Sequence, residues 1–380
     1  MTELLVGTKK GLFALSGAPE DGFSASARAF AGEPVDYAMR DPRSGRVLAT
    51  STSPFYGPKI WYTDEEPSAW SAEHPGGAWR QAQGVALPPG GQQALQRVWV
   101  IVAGQRDGLL YAGGDPGVLF ESEDGGESWS LNGALWEHPT RSCWQAGGGG
   151  LCLHSISTWP GDPERIALAV SASGVWLSED GGASWQQGNS GLVARYLPDE
   201  VPEEVRERLE QSGRAAEQAG VPPLCVHRLH RAPLAPERMF MQFHGGVYRS
   251  DDAGRSWCEI GAGLPSDFGF PLAIDPADPD SAFVIPLSAD MDRVTPDGRV
   301  RVFETRDAGA SWMARGEGLP QEGAYLTVLR HALDWTGEGS ALELYFGSTS
   351  GEVFGSGDGG KSWFTVASRL PPVFSLVASS

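Results

Sequence analysis

The chain has 380 residues and carries 48 acidic against 29 basic side chains, which gives a formal net charge of −19. This balance disfavours nucleic acids and anionic membranes as partners, because neutralising phosphates requires Lys and Arg. The start of the chain lacks a signal-peptide pattern, and no apolar run approaches the ~18 residues of a membrane span. The four cysteines form no Cys-x-x-Cys pair, so we expect a soluble, reduced, cytoplasmic protein with Cys152 and Cys225 as buried thiols.

In chain order, the predicted elements begin with three strands, in LLVGTKKGLFAL and FSASARAF. Six units of several short strands follow, and PVFSLVAS near the end predicts one more strand. The six units cover 36–72, 97–132, 151–189, 226–261, 268–316 and 325–368. Between the third and fourth units, residues 190–224 predict a helical insertion, because Val201, Val205 and Leu209 recur at every fourth position.

Five of the six units contain the pattern Ser/Thr-x-Asp-x-Gly-x-Ser-Trp. The copies lie at 122–129, 178–185, 250–257, 305–312 and 356–363, and 63–70 is interpreted as a degenerate sixth copy. A strand-like run precedes each copy, the Asp and Gly provide turn chemistry, and the Trp begins the next strand. The pattern therefore predicts a repeated hairpin, and a repeat of this length is typical of blades arranged in a ring.

The repeat resembles the BNR or Asp-box repeat of sialidase-like, WD40/YVTN/BNR-like β-propellers. That family includes sialidases, sortilin-type receptors, xyloglucan-cleaving hydrolases and photosystem assembly factors. The resemblance implies four-stranded blades with the box at the turn between the third and fourth strands. It also implies a structural role for the box carboxylates, which are Asp124, Asp180, Asp252, Asp307 and Asp358.

The two ends of the chain supply a further blade. N-terminal strands plus the C-terminal strand would close the ring and remove its open edges. We therefore predict an all-β, seven-bladed β-propeller as a single domain over residues 1–380, with six blades as the alternative. The six units are numbered blades 1 to 6, and the blade formed by both ends is blade 7.

Predicted connection lengths distinguish the two faces of the propeller. The box turns and the turns between first and second strands are short and share one face. The long segments fall on the other face, at 52–58, 73–96, 131–150, 190–224 and 287–299. Long loops gathered at one end of a rigid scaffold favour a binding face, here called the upper face.

Prolines in the turn after the innermost strand align four blades. Six residues before each proline, at one equivalent ring position near the upper face, lie Asp36, His154, His227 and Phe270, and Arg330 is close to that position in blade 6. His244 and residues in the loops before blades 3 and 5 should lie nearby. The predicted axial pocket consists of Asp36, Arg141, Trp144, His154, His227, His244, Asp267, Phe268, Phe270 and Arg330.

Three interpretations of these residues remain open. The histidines could fill the channel and hydrogen-bond between blades, or the His, Arg, Asp and aromatic side chains could form a ligand pocket. A metal site would use His154, His227 and His244, since neutral imidazoles suit zinc, copper or iron. No cofactor is predicted apart from this candidate transition metal.

Two classes of function follow. The first is a non-sialidase propeller that binds a partner protein, a small molecule or a carbohydrate at the axial mouth of the upper face. The second is a glycoside hydrolase or metal-dependent enzyme that uses the axial His, Asp and Arg side chains, with Asp36 and Asp267 as upper-face carboxylates. Sialidase activity is not expected, because the chain lacks the F-R-I-P-like motif of that family and fold does not imply function.

Overall fold

The computed structural model describes residues 1–72, 77–91, 93–193, 223–289 and 291–380. These residues form seven four-stranded antiparallel sheets. The innermost strands of neighbouring blades contact one another around the whole ring. The predicted seven-bladed β-propeller is therefore confirmed, and the six-bladed alternative is wrong.

The strands of blades 7 and 1 to 3 are as follows. Blade 7 contains β28 (Val373–Ser379), β1 (Thr2–Thr8), β2 (Gly11–Ala18) and β3 (Gly22–Ala29). Blade 1 contains β4 (Val35–Arg40), β5 (Val47–Ser53), β6 (Gly57–Thr63) and β7 (Arg80–Gln81). Blade 2 contains β8 (Arg97–Ala103), β9 (Leu110–Asp115), β10 (Val118–Ser122) and β11 (Ser130–Leu131). Blade 3 contains β12 (Cys152–Trp159), β13 (Asp162–Ser171), β14 (Gly174–Ser178) and β15 (Gln186–Gln187).

The remaining blades follow the same plan. Blade 4 contains β16 (Val226–Arg231), β17 (Met239–Phe243), β18 (Gly246–Ser250) and β19 (Cys258–Glu259). Blade 5 contains β20 (Gly269–Asp275), β21 (Asp278–Pro286), β22 (Val302–Thr305) and β23 (Met313–Arg315). Blade 6 contains β24 (Leu333–Thr336), β25 (Glu343–Gly347), β26 (Val353–Ser356) and β27 (Phe364–Ala367). Helical turns lie at Gly133–Trp136 (α1), Pro67–Ala69, Arg141–Cys143, Pro296–Gly298 and Gly339–Ala341.

The two ends of the chain close the ring as predicted. Strand β28 pairs antiparallel with β1, from Glu3 opposite Ser379 to Gly7 opposite Ser375. Leu4 and Val6 of β1 are fully buried in a core shared with blade 6. Closure therefore pairs the inner edge of β1 and buries apolar surface between blades.

The five copies of the Ser/Thr-x-Asp-x-Gly-x-Ser-Trp pattern build nearly identical turns between third and fourth strands. In blade 2 the Asp124 carboxylate accepts hydrogen bonds from the Ser122 hydroxyl (2.8 Å), the Ser128 amide (2.9 Å) and the Ser128 hydroxyl (2.5 Å). The equivalent serine or threonine bonds recur at Asp180, Asp252, Asp307 and Asp358. Each carboxylate thus bonds within its own turn, away from the axial residues.

Blade 1 departs from the predicted box. Its fourth strand is β7 and follows Trp79, so the predicted degenerate copy at 63–70 is wrong and the blade extends beyond residue 72. Phe30 of blade 7 packs against Trp79 with ring centroids 4.8 Å apart, and Trp70 packs on Trp79 at 5.0 Å. One long connection therefore lies on the face expected to have only short turns.

Two predicted upper-face loops also change. The segment 52–58 is mostly strand, because β5 ends at Ser53 and β6 begins at Gly57. The helical insertion predicted for 190–224 falls largely on 194–222, outside the described residues, and stays a prediction. Within the ranges described above, no helix is both long and apolar enough to cross a membrane.

Candidate ligand site at the axial mouth

A β-bulge marks the ring position in the innermost strand of most blades. The pairing of first and second strands skips one residue at Asp36, Trp99, His154, His227 and Phe374, and the blade 5 ladder shifts around Phe270. A bulged residue has no direct partner across the ladder and is re-aimed relative to the sheet. The alignment of blades on their prolines did not identify Trp99 and Phe374, because neither is followed by a proline six residues later.

Ring residues from different blades converge at the axis. The Arg330 guanidinium of blade 6 lies 5.0 Å from the Phe270 ring of blade 5 and 5.5 Å from the Trp99 ring of blade 2. Blades 6 and 2 are not neighbours, so this contact spans the axial opening. We call the residues that meet here the axial cluster, which comprises Asp36, Arg97, Trp99, His227, Phe270 and Arg330.

The Asp36 carboxylate is the buried acid of the axial cluster. It is only 4% exposed, lies 3.3 Å from Arg97 Nε and accepts a 2.5 Å hydrogen bond from the Thr52 hydroxyl. Burial raises the pKa of Asp36 to about 6, against the opposing effects of Arg97 and Thr52. Arg97 also stacks on Trp99 at 4.5 Å, which fixes the pair at the rim.

Arg330 is the cation of the axial cluster without an acidic partner. Its Nε is buried and has no hydrogen-bond partner. Burial lowers the pKa of Arg330, and the positive charges of Arg293 and Arg97 act in the same direction. Among the described residues, no carboxylate forms an ion pair with this guanidinium. The exposed Arg293 guanidinium lies 5.5 Å from the Phe270 ring, which Arg330 also contacts, and adds a second positive charge beside that ring.

Three potential metal ligands meet beside the axial cluster. One ligand atom each from Cys225, His227 and His244 lie within 4.8 Å of one another. His227 Nδ1 lies 2.6 Å from the Gly269 carbonyl oxygen, so Nδ1 is the protonated ring nitrogen. Burial lowers the pKa of His227 well below its usual range, which keeps the ring neutral.

His154 does not join these ligands, although the sequence grouped it with His227 and His244. Its Nε2 lies 2.7 Å from the Val226 carbonyl oxygen and 2.9 Å from the Ser171 hydroxyl. The ring therefore joins blade 3 to blade 4, as in the channel-filling interpretation. The structure places Cys225 in its stead, and the Cys-x-His spacing before the ring position was the available sequence signal.

Arg141 and Trp144 lie outside the axial cluster. Arg141 donates a 2.7 Å hydrogen bond to the Gly117 carbonyl and another to the Pro116 carbonyl. Its guanidinium lies between Trp136 and Trp144, at 4.8 and 4.7 Å. Both residues line a separate surface hollow with His138, so their predicted placement at the axial pocket finds no contact among the described residues.

Of the two predicted site residues before blade 5, Phe268 contacts the site and Asp267 does not. The buried Phe268 ring packs edge-on against His227 (5.3 Å) and His244 (5.2 Å), which brings it into the site. The Asp267 side chain is exposed, and only its carbonyl oxygen is fixed, by Gln242 Nε2 at 3.3 Å. In the part of the chain described here, Asp267 makes no side-chain contact with the axial cluster.

Below the ring position, buried polar side chains close the channel. Arg228 donates from Nη1 to His331 Nδ1 (2.6 Å) and from Nε to His230 Nε2 (3.0 Å). The Tyr37 ring packs edge-on against His331 at 5.2 Å, and burial raises the pKa of Asp334 to about 6 despite the Arg228 charge. Side chains from blades 1, 4 and 6 therefore meet across the axis and form a polar floor, and the alignment of blades on their prolines identified none of them.

Comparison with known proteins gives the fold. No protein-family profile and no curated protein matches the chain. The crystal structure of an ancestral GH74 enzyme is similar with a TM-score of 0.53 and 15% identity, covering 91% of this chain but only 38% of that one. Apo AztD from Citrobacter koseri is similar with a TM-score of 0.50 and 13% identity, covering 100% and 98%. The chain is a β-propeller.

A third similar structure, the GH74 enzyme from Niastella koreensis, has a TM-score of 0.47 and 11% identity, covering 97% of this chain and 67% of that one. Because it covers 38% of the ancestral GH74 enzyme, this propeller spans well under half the length of that protein. Identities this low relate the folds alone, and function has to be argued from the axial residues.

Proposed function

We propose that this chain is a non-sialidase propeller that binds a small anionic ligand at the axial mouth of its upper face. The observation that carries the proposal is Arg330, a guanidinium that faces the axis with a buried, unpartnered Nε and no acidic partner among the described residues. An unpaired charge inside a protein costs free energy, so its retention is explained by a ligand that pairs with it.

The charge distribution supports an anion as that ligand. The whole chain carries a formal charge of −19, yet Arg97, Arg293 and Arg330 gather at one opening. Asp36 balances Arg97, whereas none of the described carboxylates balances Arg330. A carboxylate or phosphate would accept hydrogen bonds from the planar guanidinium fork, and such bonds are strong because both partners are charged.

The aromatic side chains indicate the rest of the ligand. Trp99 and Phe270 flank Arg330, and Phe268 continues the apolar wall toward His244. The polar floor formed around Arg228 and His331 fills the axis behind these side chains. We therefore propose an organic acid or phosphate ester with a planar or apolar body, rather than an extended polymer.

The test is a binding screen of small carboxylates, sugar acids and phosphate monoesters by thermal shift, followed by calorimetry. A ligand present at 100 times its Kd should stabilise the wild-type protein by about 2.7 kcal/mol. Arg330→Met should lose this stabilisation, whereas Arg255→Met should keep it, because Arg255 is an exposed arginine paired with Glu179 far from the mouth. Equal binding by both variants would contradict the proposal.

Three broader assignments accompany it. Membership of the Asp-box family is supported by five turns with the same carboxylate–serine or carboxylate–threonine bonding. None of the four cysteines, all among the described residues, forms a disulfide, which suits a reducing compartment such as the cytoplasm. The net charge favours a small molecule or protein partner over nucleic acid or a membrane.

Hydrolysis at the same mouth is the second candidate, and it depends on two acids beside Arg97. Burial raises the pKa of Asp36 to about 6 and also raises the pKa of Asp115, the residue opposite Arg97 in the sheet. A carboxyl group whose pKa is raised toward neutrality can act as a general acid. Release of a chromogenic aglycone from glycosides, abolished in Asp36→Asn, would support this candidate, and no turnover across the panel would exclude it.

A further inference from the structure

Blade 4 brings one thiol and two imidazoles together by rigid backbone geometry. Cys225 immediately precedes β16, and His227 occupies the bulge of that strand. His244 follows β17, and its backbone N–H donates a 3.0 Å hydrogen bond to the Cys225 carbonyl. The three side chains therefore start from two segments whose separation is fixed by the sheet, independently of Arg330.

The ring of His227 is oriented as a metal ligand requires. Its Nδ1 bonds the Gly269 carbonyl at 2.6 Å, which leaves Nε2 as the nitrogen that can face a cation. Histidines that bind metals usually donate their second ring nitrogen to such a carbonyl or to a carboxylate, because this bond sets both tautomer and ring direction. The Phe268 and Phe270 rings then hold His227 from the sides at 5.3 and 4.8 Å.

The distances are close to those of a bound ion. Zinc bonds of about 2.0–2.1 Å to nitrogen and about 2.3 Å to sulfur place ligand atoms roughly 3.3–3.8 Å apart. The three ligand atoms here lie within 4.8 Å of one another, so each side chain needs to move by about 1 Å or less. Cys225 and His244 are half-buried, and metal binding would replace the hydrogen bond between the Cys225 thiol and the Ser171 side chain.

Blade 3 provides an internal comparison. It carries the same Cys-x-His sequence, Cys152-Leu153-His154, but Ser171 stands where blade 4 has His244. There the histidine Nε2 bonds the Val226 carbonyl and the Ser171 hydroxyl, so the nitrogen is used structurally. The two blades share a motif, and only blade 4 completes a set of ligands.

We propose that Cys225, His227 and His244 bind one thiophilic divalent transition-metal ion, such as Zn²⁺, with the fourth coordination position open to the axial mouth. One sulfur and two nitrogen ligands suit zinc or copper rather than magnesium or calcium, which prefer oxygen. Three protein ligands with an open position are typical of reactive zinc sites, whereas structural sites use four. The ion would sit beside the anionic ligand proposed above without depending on it.

The experiment uses the full chain, reduced and stripped with a chelator, and Co²⁺ as a visible probe. We expect one equivalent of Co²⁺ to bind with a thiolate-to-cobalt charge-transfer band, and Zn²⁺ to displace it. Cys225→Ser should abolish the band, and His244→Ala should weaken binding at least about tenfold. Cys152→Ser is the matched control, since it removes the corresponding thiol of blade 3, and it should keep the band.

Two further measurements decide the result. Circular dichroism and thermal unfolding verify that each variant is folded, and Arg330→Met separates this proposal from the anionic ligand, because metal binding should survive that change. The metal site is overturned if folded wild type shows no thiolate band with Co²⁺. A band of equal strength in Cys225→Ser, or binding unchanged in His244→Ala, would overturn it as well.

Discussion

Replacing Arg330 by Met should leave the free energy of unfolding nearly unchanged. The change removes a buried Nε that has no hydrogen-bond partner, which costs the wild type about 1–3 kcal/mol. It also loses two cation–π contacts, to Trp99 and Phe270, worth about 0.5–1 kcal/mol each. The midpoints of these two ranges nearly cancel, so the change in the free energy of unfolding should lie between a loss of about 1 and a gain of about 2 kcal/mol, although ligand binding should be lost.

Arg97→Met is the comparison variant, and it should lower the free energy of unfolding. It strands the buried Asp36 carboxylate, and because 37% of the Arg97 side chain is exposed, we place the loss between a surface and a buried ion pair, at about 2 kcal/mol. Without Arg97 the pKa of Asp36 should rise above about 6. The loss should therefore shrink as pH falls to 5, where Asp36 is protonated in both proteins.

The assay is urea unfolding followed by far-UV circular dichroism, at pH 7.5 and pH 5, on ligand-free protein. At pH 7.5 the free energy of unfolding should be about 2 kcal/mol lower for Arg97→Met than for the wild type and nearly unchanged for Arg330→Met, and the two variants should differ less at pH 5. A loss of 2 kcal/mol or more for Arg330→Met would mean that the guanidinium supports the fold. Arg330 would then be needed for stability, and an anionic ligand would no longer be required to explain its burial.

Three other predictions follow from the fold. Gly126→Ala should destabilise the fold by about 2–4 kcal/mol, since its backbone has φ +93° and the new Cβ would lie 2.3 Å from Leu48 Cδ2. Gly125→Ala should cost about 1 kcal/mol, because the nearest atom to its new Cβ is 3.5 Å away. Equal urea midpoints for the two variants would contradict this. The folded protein binds a proton at Asp36 between pH 3.8 and about 6, where the unfolded chain has released it. As pH rises through that window, the free energy of unfolding of the wild type should therefore fall by about 3 kcal/mol relative to Asp36→Asn. Parallel pH profiles for the two proteins would refute the raised pKa. Deleting 372–380 should expose the edge of β1 and broaden the thermal transition, and a peptide of that sequence should restore it; an unchanged transition would show that closure is dispensable.

Strand register was predictable where a rigid residue marked it. Prolines after the innermost strands placed Asp36, His154 and His227 at equivalent positions, and in the structure each lies at a bulge. Blade 2 has no such proline, so Trp99 was missed. In blade 1 the fourth strand follows Trp79 rather than Trp70, so the box spacing of the other blades predicts its position wrongly.

The grouping of side chains was less predictable than their register. The contact between Arg330 and Trp99 crosses the axis, and it depends on blade number and on side-chain torsions that no local pattern encodes. His154 and His227 share a sequence context, yet one ring bonds the next blade through Nε2 and the other through Nδ1. That difference decides which histidine can face a cation.

The bulges of the innermost strands make the axial opening separable from the scaffold. Trp99 and Phe374 have no direct partner across their ladders and are only half-buried, so other side chains could stand there without changing the strand pairing around them. Side chains at the opening could then be varied while the strands that carry them keep their pairing. Libraries randomised at these positions alone should yield folded proteins with new ligand preferences.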